Sequence, residues 1–319
     1  MPGARLALAF VMDPIEALDI DADTTFALML EAQRRGHEVL YIDPSDLAMT
    51  GGNPTAHAQP VTLRRELGHH VDLGTVRIVS LDDEVDLVFQ RVDPPVDEAY
   101  VTATQILALC DRALVLNRPE GILTANEKLY ALRFPELMPE TLVTRKIPEL
   151  LDFMDKLGGK MIVKPLDGKG GEGIFLLSPD DRNLRSILEQ STRFETRRTM
   201  AQRYLPEVRN GDKRILLVDG EPIGAVLRVP HETETRSNLH VGGRPQRARL
   251  DADDRKIVET LAPALRRDGL FFVGIDVIGG FLTEITVTSP TGVQEINTLD
   301  DRCLEAEILD GAEARLRDR

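Results

Sequence analysis

The feature that most constrains the fold is a glycine-rich loop between two apolar stretches, at residues 163–174. The first stretch carries Lys164, and the loop DGKGGEG then leads directly into the second stretch. Glycine allows positive φ angles and a close approach of the backbone to a ligand. Exposed backbone N–H groups beside a lysine form a cradle for phosphate. Because the loop lacks a GK[ST] ending and precedes a predicted strand, it differs from a P-loop and predicts phosphate bound between two strands.

Composition limits the partners and the compartment. The chain has 319 residues and a formal net charge of −14, so two or three domains are expected and nucleic acid is not an expected partner. Two cysteines, Cys110 and Cys303, are too few for a metal cluster or a disulfide framework, which fits a reducing cytoplasm. The apolar start is cut short by Asp13 and Pro14, so a first strand is predicted rather than a signal peptide or a membrane span.

The order of predicted elements indicates an N-terminal open α/β domain over residues 1–122. A strand, a helix and a second strand follow one another at the start, which predicts a parallel sheet with a right-handed crossover. These three elements are predicted at residues 5–12, 24–35 and 38–43. Later strands at 76–81, 85–92 and 113–117, with a helix at 97–109, complete the predicted domain.

The middle of the chain, residues 123–205, is predicted to be a compact α+β lobe. It opens with a predicted helix at 124–133, in which Thr124 is the N-cap and Glu127 its capping-box partner. The remaining predicted elements are strands at 141–145, 160–166, 173–178 and 200–205, and helices at 148–157 and 183–190.

The last part, residues 206–319, is predicted to be mainly antiparallel. Asp219-Gly220 and Gly279-Gly280 each join two apolar stretches and predict hairpins over 214–229 and 270–288. A helix is predicted from its cap at Asp251 to its stop at Gly269, with a polar loop before it at 230–249. A final helix is predicted at 303–316.

Three charged residues lie inside apolar stretches and therefore need partners. Lys164 ends such a stretch beside the glycine loop, and a phosphate would satisfy its charge; the alternative is a solvated lysine at a strand end. Asp276 and Glu284 face each other across the Gly279-Gly280 hairpin. Two carboxylates inside a sheet favour a cation between them, and Mg²⁺ prefers oxygen ligands. The alternative is that one or both point to solvent.

Further polar residues lie near strand ends or in loops, where they could contact an acidic substrate. Arginine pairs with carboxylates through two parallel hydrogen bonds. Arg236 belongs to a glycine-containing loop at 235–243 that is predicted to act as a mobile cover. Each of these residues, taken alone, is equally well explained as an ordinary solvated side chain; they are Asp13, Arg91, Arg214, Arg236 and Asn238.

Many sequence blocks in order resemble the prokaryotic-type glutathione synthetases, which are ATP-grasp ligases. The resemblance covers nearly the whole chain and is carried by blocks such as VMDPI, RVDPP, NEK, KPLDGKGG, AQRYLP, GDKRILLVDGEP, ETRSNLHVGGR and LTEITVTSPT. It implies an N-terminal α/β (pre-ATP-grasp) domain followed by a two-lobed ATP-grasp domain. It also implies ATP as co-substrate, Mg²⁺ or Mn²⁺ as cofactor, and a homo-oligomer, usually a tetramer.

The same resemblance implies a role for each matching residue. The residues implied to bind ATP are Lys128, Lys164, Gly168, Gly170, Gly171, Gly173, Gln202, Tyr204 and Leu205. The implied metal ligands are Asp276, Glu284 and Thr286. Arg214, Arg236 and Asn238 would stabilise an acyl phosphate. Peptide contacts are implied for Asp13, Thr25, Arg91, Ser289 and Thr291.

The implied reaction joins γ-glutamylcysteine and glycine. ATP would phosphorylate the C-terminal carboxylate of γ-glutamylcysteine, and the amine of glycine would displace the phosphate to give glutathione, ADP and phosphate. Such phosphoryl transfer depends on positioning and charge neutralisation and needs no protein nucleophile. The alternatives are a related ligase that makes another γ-glutamyl peptide or a dipeptide, and a nucleotide-binding protein without ligase activity.

One position departs from the family pattern. The family's last metal site reads Glu-x-Asn, whereas this chain has Glu284-Ile285-Thr286. A threonine hydroxyl can bind a hard cation but reaches less far than an amide, so a weaker second metal site is expected. A second Glu-x-Asn at Glu295-Ile296-Asn297 fits the family register poorly and is not expected to replace it.

Overall fold

The N-terminal part of the protein is built on a mixed sheet. The computed structural model describes residues 5–231, 234, 236–238 and 242–319. The strands are β1 (Ala7–Val11), β2 (Glu38–Ile42), β3 (Leu47–Thr50), β4 (Asn53–Leu63), β5 (Val71–Leu73), β6 (Arg77–Ser80), β7 (Leu87–Gln90) and β8 (Leu114–Leu116). The helices are α1 (Thr24–Arg34), α2 (Leu81–Glu84), α3 (Glu98–Leu107) and α4 (Pro119–Thr124).

The strand order is β3-β4-β2-β1-β7-β8, with β5 and β6 also paired to β4. The predicted β1–α1–β2 start is confirmed, because β1 pairs in parallel with both β2 and β7. Strands β3, β4 and β5 were not predicted. Strand β4 contains Pro54 and Pro60, and proline within a stretch argues against a strand unless its missing N–H faces away from a ladder.

The central part is a four-stranded antiparallel sheet with two helices. Its strands are β9 (Thr141–Thr144), β10 (Met161–Pro165), β11 (Phe175–Leu177) and β12 (Thr199–Arg203), in the order β11-β10-β12-β9. The helices α5 (Ile147–Lys156) and α6 (Leu184–Ser191) pack on it through a core that includes Leu150, Met161 and Leu188. All four strands and both helices lie close to their predicted positions.

The predicted helix at 124–133 is wrong. Helix α4 ends at Thr124, where the predicted helix begins, and the Thr124 hydroxyl donates back to the carbonyl of Glu120 at 2.9 Å. Pro119 supplies the start of the helix instead, as proline does at a first helical position. Lys128 therefore lies in a turn, followed by a short 3₁₀ helix at Tyr130–Arg133.

The C-terminal part is a five-stranded antiparallel sheet. The strands are β13 (Asp212–Val218), β14 (Glu221–Val229), β15 (Arg244–Arg247), β16 (Phe272–Ile278) and β17 (Phe281–Thr286), in the order β15-β14-β13-β16-β17. The helices are α7 (Ala252–Asp268), α8 (Val293–Asp300) and α9 (Leu304–Arg317). Both predicted hairpins are confirmed, as are the Asp251 cap and the left-handed Gly269 stop of α7. Strand β15 and helix α8 were not predicted.

The N-terminal and C-terminal parts share one apolar core. Phe10 and Phe26 of the first part belong to the same buried cluster as Phe272, Ile296 and Ile308 of the last. Burial on this scale stabilises their relative placement, at roughly 25 cal/mol for each Å² of apolar surface removed from water. Within the described residues, every helix is too short or too polar to cross a bilayer.

Candidate active site

A cleft between the central sheet and the C-terminal sheet is lined by eight of the predicted site residues. Strand β10 contributes Lys164, and strands β16 and β17 contribute Asp276 and Glu284. Side chains from both lobes thus meet, although they are far apart in the sequence. The cleft is also lined by Gln202, Tyr204, Leu205, Arg236 and Asn238.

Two buried lysines bracket Glu284. Lys128 donates to the Glu284 carboxylate at 3.0 Å and to the carbonyl of Gly168 at 2.8 Å. Lys164 is 5% exposed and donates to the carbonyl of Thr283 at 3.0 Å. Burial lowers the pKa of Lys164 to about 8, with a further lowering from the charge of Lys128 against the opposite pull of Glu284. Lys164 is therefore a desolvated cation that faces the cleft beside the glycine loop. A bound phosphate would stabilise its charge.

The two acids of the last hairpin are register partners, as predicted. Strands β16 and β17 pair Asp276 with Glu284, after a one-residue bulge near Asp276. Arg214 grips Asp276 through two hydrogen bonds of 2.5 and 3.1 Å, and Arg228 lies 2.9 Å from the same carboxylate. Burial alone would raise the pKa of Asp276, but these two guanidinium groups hold it well below its ordinary value. Asp276 is 3% exposed, so it does not point to solvent.

Glu284 is likewise held ionised. Burial would raise the pKa of Glu284, but the charges of Lys128 and Lys164 outweigh that effect and lower it. Its side chain keeps 21% of its surface exposed, whereas that of Lys128 is almost fully covered. Glu284 is thus a carboxylate that still reaches the cleft.

These oxygen atoms suit a hard cation. Among the residues that the structure describes, no three His, Cys, Asp or Glu side chains form a metal-binding group. Asp276 nevertheless offers a buried carboxylate and Glu284 a partly exposed one. Thr286, on the same strand as Glu284, offers a hydroxyl that lies 3.5 Å from Arg214 Nη2. Mg²⁺ is commonly bound by one or two carboxylates together with phosphate oxygens and water, so this set fits it. The second Glu-x-Asn lies elsewhere: Asn297 accepts from the backbone N–H of Leu304 at 2.8 Å, at the start of α9.

The glycine loop has the backbone that its sequence predicts. We call residues 168–173 the flap. Gly170, Gly171 and Gly173 have φ angles of 59°, 86° and 68°, a region that disfavours other residues. Gly168 has no positive φ, but a Cβ there would lie 2.7 Å from the Pro165 ring. All four predicted glycines are thus needed for the path of the backbone.

The flap touches the loop that was predicted to cover the site. We call residues 236–238 the cover segment; Thr235 and residues 239–241 of the predicted cover lie outside the described residues. Arg236 donates to the carbonyl of Gly171 at 3.3 Å. A Cβ on Gly171 would lie 2.6 Å from the amide oxygen of Asn238. Arg236 also binds the Glu234 carboxylate at 2.7 and 3.1 Å. The two predicted covers therefore pack directly against each other.

Arg91 is buried at the junction of the N-terminal and C-terminal parts. It donates to the hydroxyl of Thr25 at 3.1 Å and to the carbonyl of Pro290 at 2.9 Å. Its Nη1 atom is buried without a partner among the described residues, and burial lowers its pKa. A buried cation with an unused donor has hydrogen-bonding capacity left for an anion. Arg91 and Thr25, which were each predicted to contact the peptide, are in direct contact with each other.

The remaining predicted peptide contacts lie around this arginine. Asp13 accepts from the backbone N–H of Asp93, two residues after Arg91, at 2.9 Å. Ser289 is buried in the connection between β17 and α8. Thr291 belongs to the same connection, and its carbonyl accepts from Arg214 at 3.3 Å. This connection thus links Arg91 of the first part to Arg214 of the last.

Asp212 also lines the cleft but was not predicted from the sequence. Asp212 is paired with Arg228 across the β13–β14 hairpin, and its Oδ2 atom accepts from Ser237 at 3.0 Å. Its Oδ1 atom is buried with no partner among the described residues. Burial raises the pKa of Asp212 to about 6, against the lowering effect of Arg228. The alternation that places Asp212 and Arg214 on one face of β13 was the available signal.

Glu127 was predicted in a helix cap but has a different role. One of its oxygens accepts from the backbone N–H groups of Val287 and Thr288, at 2.9 and 3.2 Å, and from the Thr288 hydroxyl at 2.8 Å. Its neighbour Asn126 donates to the carbonyl of Leu166 at 3.1 Å. These bonds tie the turn that carries Lys128 to both lobes. They explain how a lysine outside regular structure is held in the cleft.

Solved structures with this architecture are ATP-grasp ligases. The D-cycloserine synthetase DcsG matches with a TM-score of 0.65 at 19% identity, over 97% of this chain and 99% of that one. A RiPP-associated ATP-grasp ligase of Chryseobacterium gregarium, in complex with ADP and a leader and core peptide, matches with a TM-score of 0.64 at 14% identity, over 98% and 97%. At such identities the likeness shows the fold alone, and that fold is the ATP-grasp fold.

The sequence relationships are closer. Residues 6–122 match the family model of the prokaryotic glutathione synthetase N-terminal domain, and residues 127–301 match that of its ATP-grasp domain. The glutathione synthetase of Gloeobacter violaceus is 48% identical over 312 residues, 96% of each chain, and that of Brucella melitensis is 45% identical over 97% and 99%. The chain belongs to the prokaryotic glutathione synthetase family. The fold class and the family predicted from the sequence are confirmed.

Proposed function

We propose that this protein is an ATP-dependent ligase that joins γ-glutamylcysteine to glycine, giving glutathione, ADP and phosphate. Its family and its similarity to the Gloeobacter violaceus and Brucella melitensis glutathione synthetases support this activity. The observation that carries it is that Lys164 and Glu284 line one cleft between the lobes and that Lys128 is bound to the Glu284 carboxylate. Two desolvated ammonium groups beside ionised carboxylates are the arrangement that a nucleotide triphosphate and a divalent cation require.

The nucleotide is proposed to lie in this cleft with its phosphates against Lys128, Lys164 and the flap. The backbone N–H groups of Gly168, Gly170, Gly171 and Gly173 belong to the flap, whose positive φ angles bring it close to a ligand. At the other end of the cleft, Gln202, Tyr204 and Leu205 would contact the base. The unpaired oxygen of Asp212 would accept from a sugar hydroxyl.

Asp276, Glu284 and Thr286 are proposed to hold Mg²⁺, for which Mn²⁺ could substitute. A bound ion of this kind would neutralise phosphate oxygens and orient them for transfer. Arg214 already grips Asp276 and fixes the orientation of its carboxylate. The carboxylates of Asp276 and Glu284 are therefore already in place as oxygen donors. Thr286 would be the weakest ligand of the three, because its hydroxyl is neutral and reaches less far than a carboxylate or an amide.

The peptide is proposed to enter from the side of the N-terminal domain. The unused Nη1 atom of Arg91, held by Thr25, would bind a carboxylate of γ-glutamylcysteine. Asp13, which accepts from the backbone N–H of Asp93, would bind the peptide's amino group. Ser289 and Thr291 lie in the connection that contacts Arg214 and would bind the rest of the peptide. Arg214, Arg236 and Asn238 are proposed to stabilise the charge of the phosphorylated carboxylate.

The chemistry then needs only positioning. A carboxylate oxygen of the peptide attacks the γ-phosphorus of ATP, the bond to ADP breaks, and an acyl phosphate forms. The amine of glycine attacks the acyl carbon, the carbon–nitrogen bond forms, inorganic phosphate leaves, and the amine's proton is released. The flap and the cover segment would exclude water, which otherwise hydrolyses the acyl phosphate.

The activity is tested with the purified protein, ATP, Mg²⁺ and γ-glutamylcysteine, with and without glycine. Glycine-dependent phosphate release, matched by glutathione, supports the proposed reaction. If release instead depends on another amine, the protein is a related ligase. Absence of release with every amine would contradict any ligase function.

Assembly and location extend this proposal. The family implies a homo-oligomer, and we propose a tetramer that acts in the cytoplasm. Exposed apolar side chains on or beside the N-terminal sheet offer surface for subunit contact: Met49 in β3, Ile78 in β6 and Val76 just before β6. Light scattering coupled to gel filtration would give the mass, and a monomeric mass would contradict the oligomer.

A further inference from the structure

Among the described residues, the side chain of Ser237 attaches the cover segment to the C-terminal sheet. The Ser237 hydroxyl donates to Asp212 Oδ2 at 3.0 Å, and the two residues are 3% and 5% exposed. A hydroxyl bound to a buried carboxylate makes a charge-assisted hydrogen bond, which is stronger than a bond between neutral groups. This contact is therefore a buried anchor between two half-buried neighbours, Arg236 and Asn238.

The residues on either side of Ser237 are those that touch the flap. Arg236 donates to the carbonyl of Gly171, and the Asn238 amide oxygen packs on the Gly171 backbone. Gly243 packs against the cover segment. Its N–H donates to the carbonyl of Asn238 at 3.1 Å, and a Cβ on Gly243 would lie 2.0 Å from the carbonyl oxygen of Ser237. Fixing Ser237 therefore fixes both residues that meet the flap.

The anchor leaves the cleft free for a ligand. Ser237 and Arg228 share Asp212 Oδ2, whereas Oδ1 has no partner among the described residues. A ligand hydroxyl at Oδ1 would not have to displace Ser237. The contact can thus persist in the loaded enzyme, where a closed cover is needed.

We propose that Ser237 is a positioning residue that latches the cover segment onto Asp212 and thereby holds the flap closed over the reacting groups. This role rests on the proposed ligase function. Loss of one hydrogen bond to a charged group shifts the balance between latched and open states by about tenfold or more. An open cover admits water, so the expected consequence is hydrolysis of the activated peptide before glycine reacts.

The test compares Ser237→Ala with Ser191→Ala. Ser191 ends α6, away from the cleft, and its hydroxyl is buried without a partner among the described residues. With ATP, Mg²⁺ and γ-glutamylcysteine but no glycine, phosphate release by Ser237→Ala should rise several-fold over wild type. With glycine, its yield of glutathione per ATP should fall, and Ser191→Ala should match wild type in both assays. Ser237→Thr, which keeps a hydroxyl, should restore the yield.

A second readout does not depend on turnover. Trypsin cuts after arginine, so cleavage between Arg236 and Ser237 in the ATP-loaded protein should be faster in Ser237→Ala than in wild type. A general loss of stability would lower both activities together and leave the ratio of glutathione to phosphate unchanged. An unchanged ratio with unchanged trypsin cleavage would overturn the latch. If wild type makes no glutathione, the proposed function fails, and the trypsin assay still decides whether the latch exists.

Discussion

Lys128 Nζ lies 3.0 Å from Glu284 Oε1, although 156 residues separate them in the sequence. The same ammonium group also reaches the carbonyl of Gly168 in the flap. One cation therefore contacts the flap and an acid of the last hairpin at once. This links the placement of the flap to the charge of the proposed metal site.

Replacing Lys128 by methionine should lower both the catalytic efficiency and the stability of the protein. Glu284 would lose its direct partner, and the flap would lose a bond to Gly168. We expect the free energy of unfolding to fall by about 1–3 kcal/mol and kcat/KM for ATP to fall by about 100-fold or more. Urea unfolding and steady-state kinetics measure the two effects. Lys160→Met, at an exposed position, is the matched control; equal kinetics in the two variants would refute the role of Lys128.

Replacing Thr286 by asparagine should tighten magnesium binding. The amide oxygen of asparagine reaches further from the strand than the hydroxyl that now lies 3.5 Å from Arg214 Nη2. We expect half-saturation of nucleotide binding at a lower Mg²⁺ concentration, by about threefold to tenfold. Titration of Mg²⁺ at fixed ATP, followed by calorimetry, measures this directly. Thr62→Asn on the exposed face of β4 is the control, and superimposable titrations of Thr286→Asn and wild type would exclude the effect.

The flap also touches the N-terminal domain, but this contact should be weak. Lys169 lies 3.1 Å from Asp93, with side chains 45% and 43% exposed. Exposed ion pairs contribute about 0–1 kcal/mol, so Lys169→Ala and Asp93→Ala should each change kcat/KM by at most about fivefold. The double variant should be no worse than the more affected single variant, because both remove one interaction. Additive losses in this cycle would show that the two residues act separately.

Glu31 should stabilise the protein at neutral pH, and this contribution should be lost in acid. Arg34 and Arg35 lower the pKa of Glu31 from its ordinary value of 4.5, in spite of burial. A lowered pKa in the folded state adds stability that is fully present above pH 4.5 and is lost as the pH falls through the folded pKa. At pH 7, the free energy of unfolding of Glu31→Gln, measured with urea, should therefore be lower than that of wild type by about 1 kcal/mol. This difference should shrink towards pH 3. If this difference does not change with pH, or equals that caused by Glu98→Gln at an exposed position, the proposed role of Glu31 is contradicted.

Local signals in the sequence predicted much of the last hairpin. Gly279-Gly280 can adopt the φ angles of 56° and 80° that the turn requires, so the strands on either side were placed correctly. The charged residues Asp276 and Glu284 in apolar strands then indicated a buried site. Helix α7 was equally predictable, because Asp251 and Gly269 mark its two ends.

Other parts depended on contacts between distant residues and could not be predicted in this way. The partner of Asp212 is set by a bulge near Leu216, which shifts the β13–β14 register by one residue and brings Arg228 opposite. Glu127 has the spacing of a capping box, but its carboxylate binds the segment just after β17, 160 residues later. The latch residue Ser237 gave no local signal, since a serine in a polar loop is usually solvated.

We propose that a peptide carboxylate is phosphorylated in the cleft lined by Lys164 and Glu284, where Lys128 contacts Glu284. It is tested most directly with γ-glutamylcysteine whose C-terminal carboxylate carries ¹⁸O, incubated with ATP, Mg²⁺ and glycine, followed by mass spectrometry of the phosphate released. We expect one ¹⁸O atom in each phosphate released, for every glutathione formed. Phosphate free of the label, in the presence of glutathione formation, would contradict an acyl phosphate and with it the proposed chemistry of the cleft.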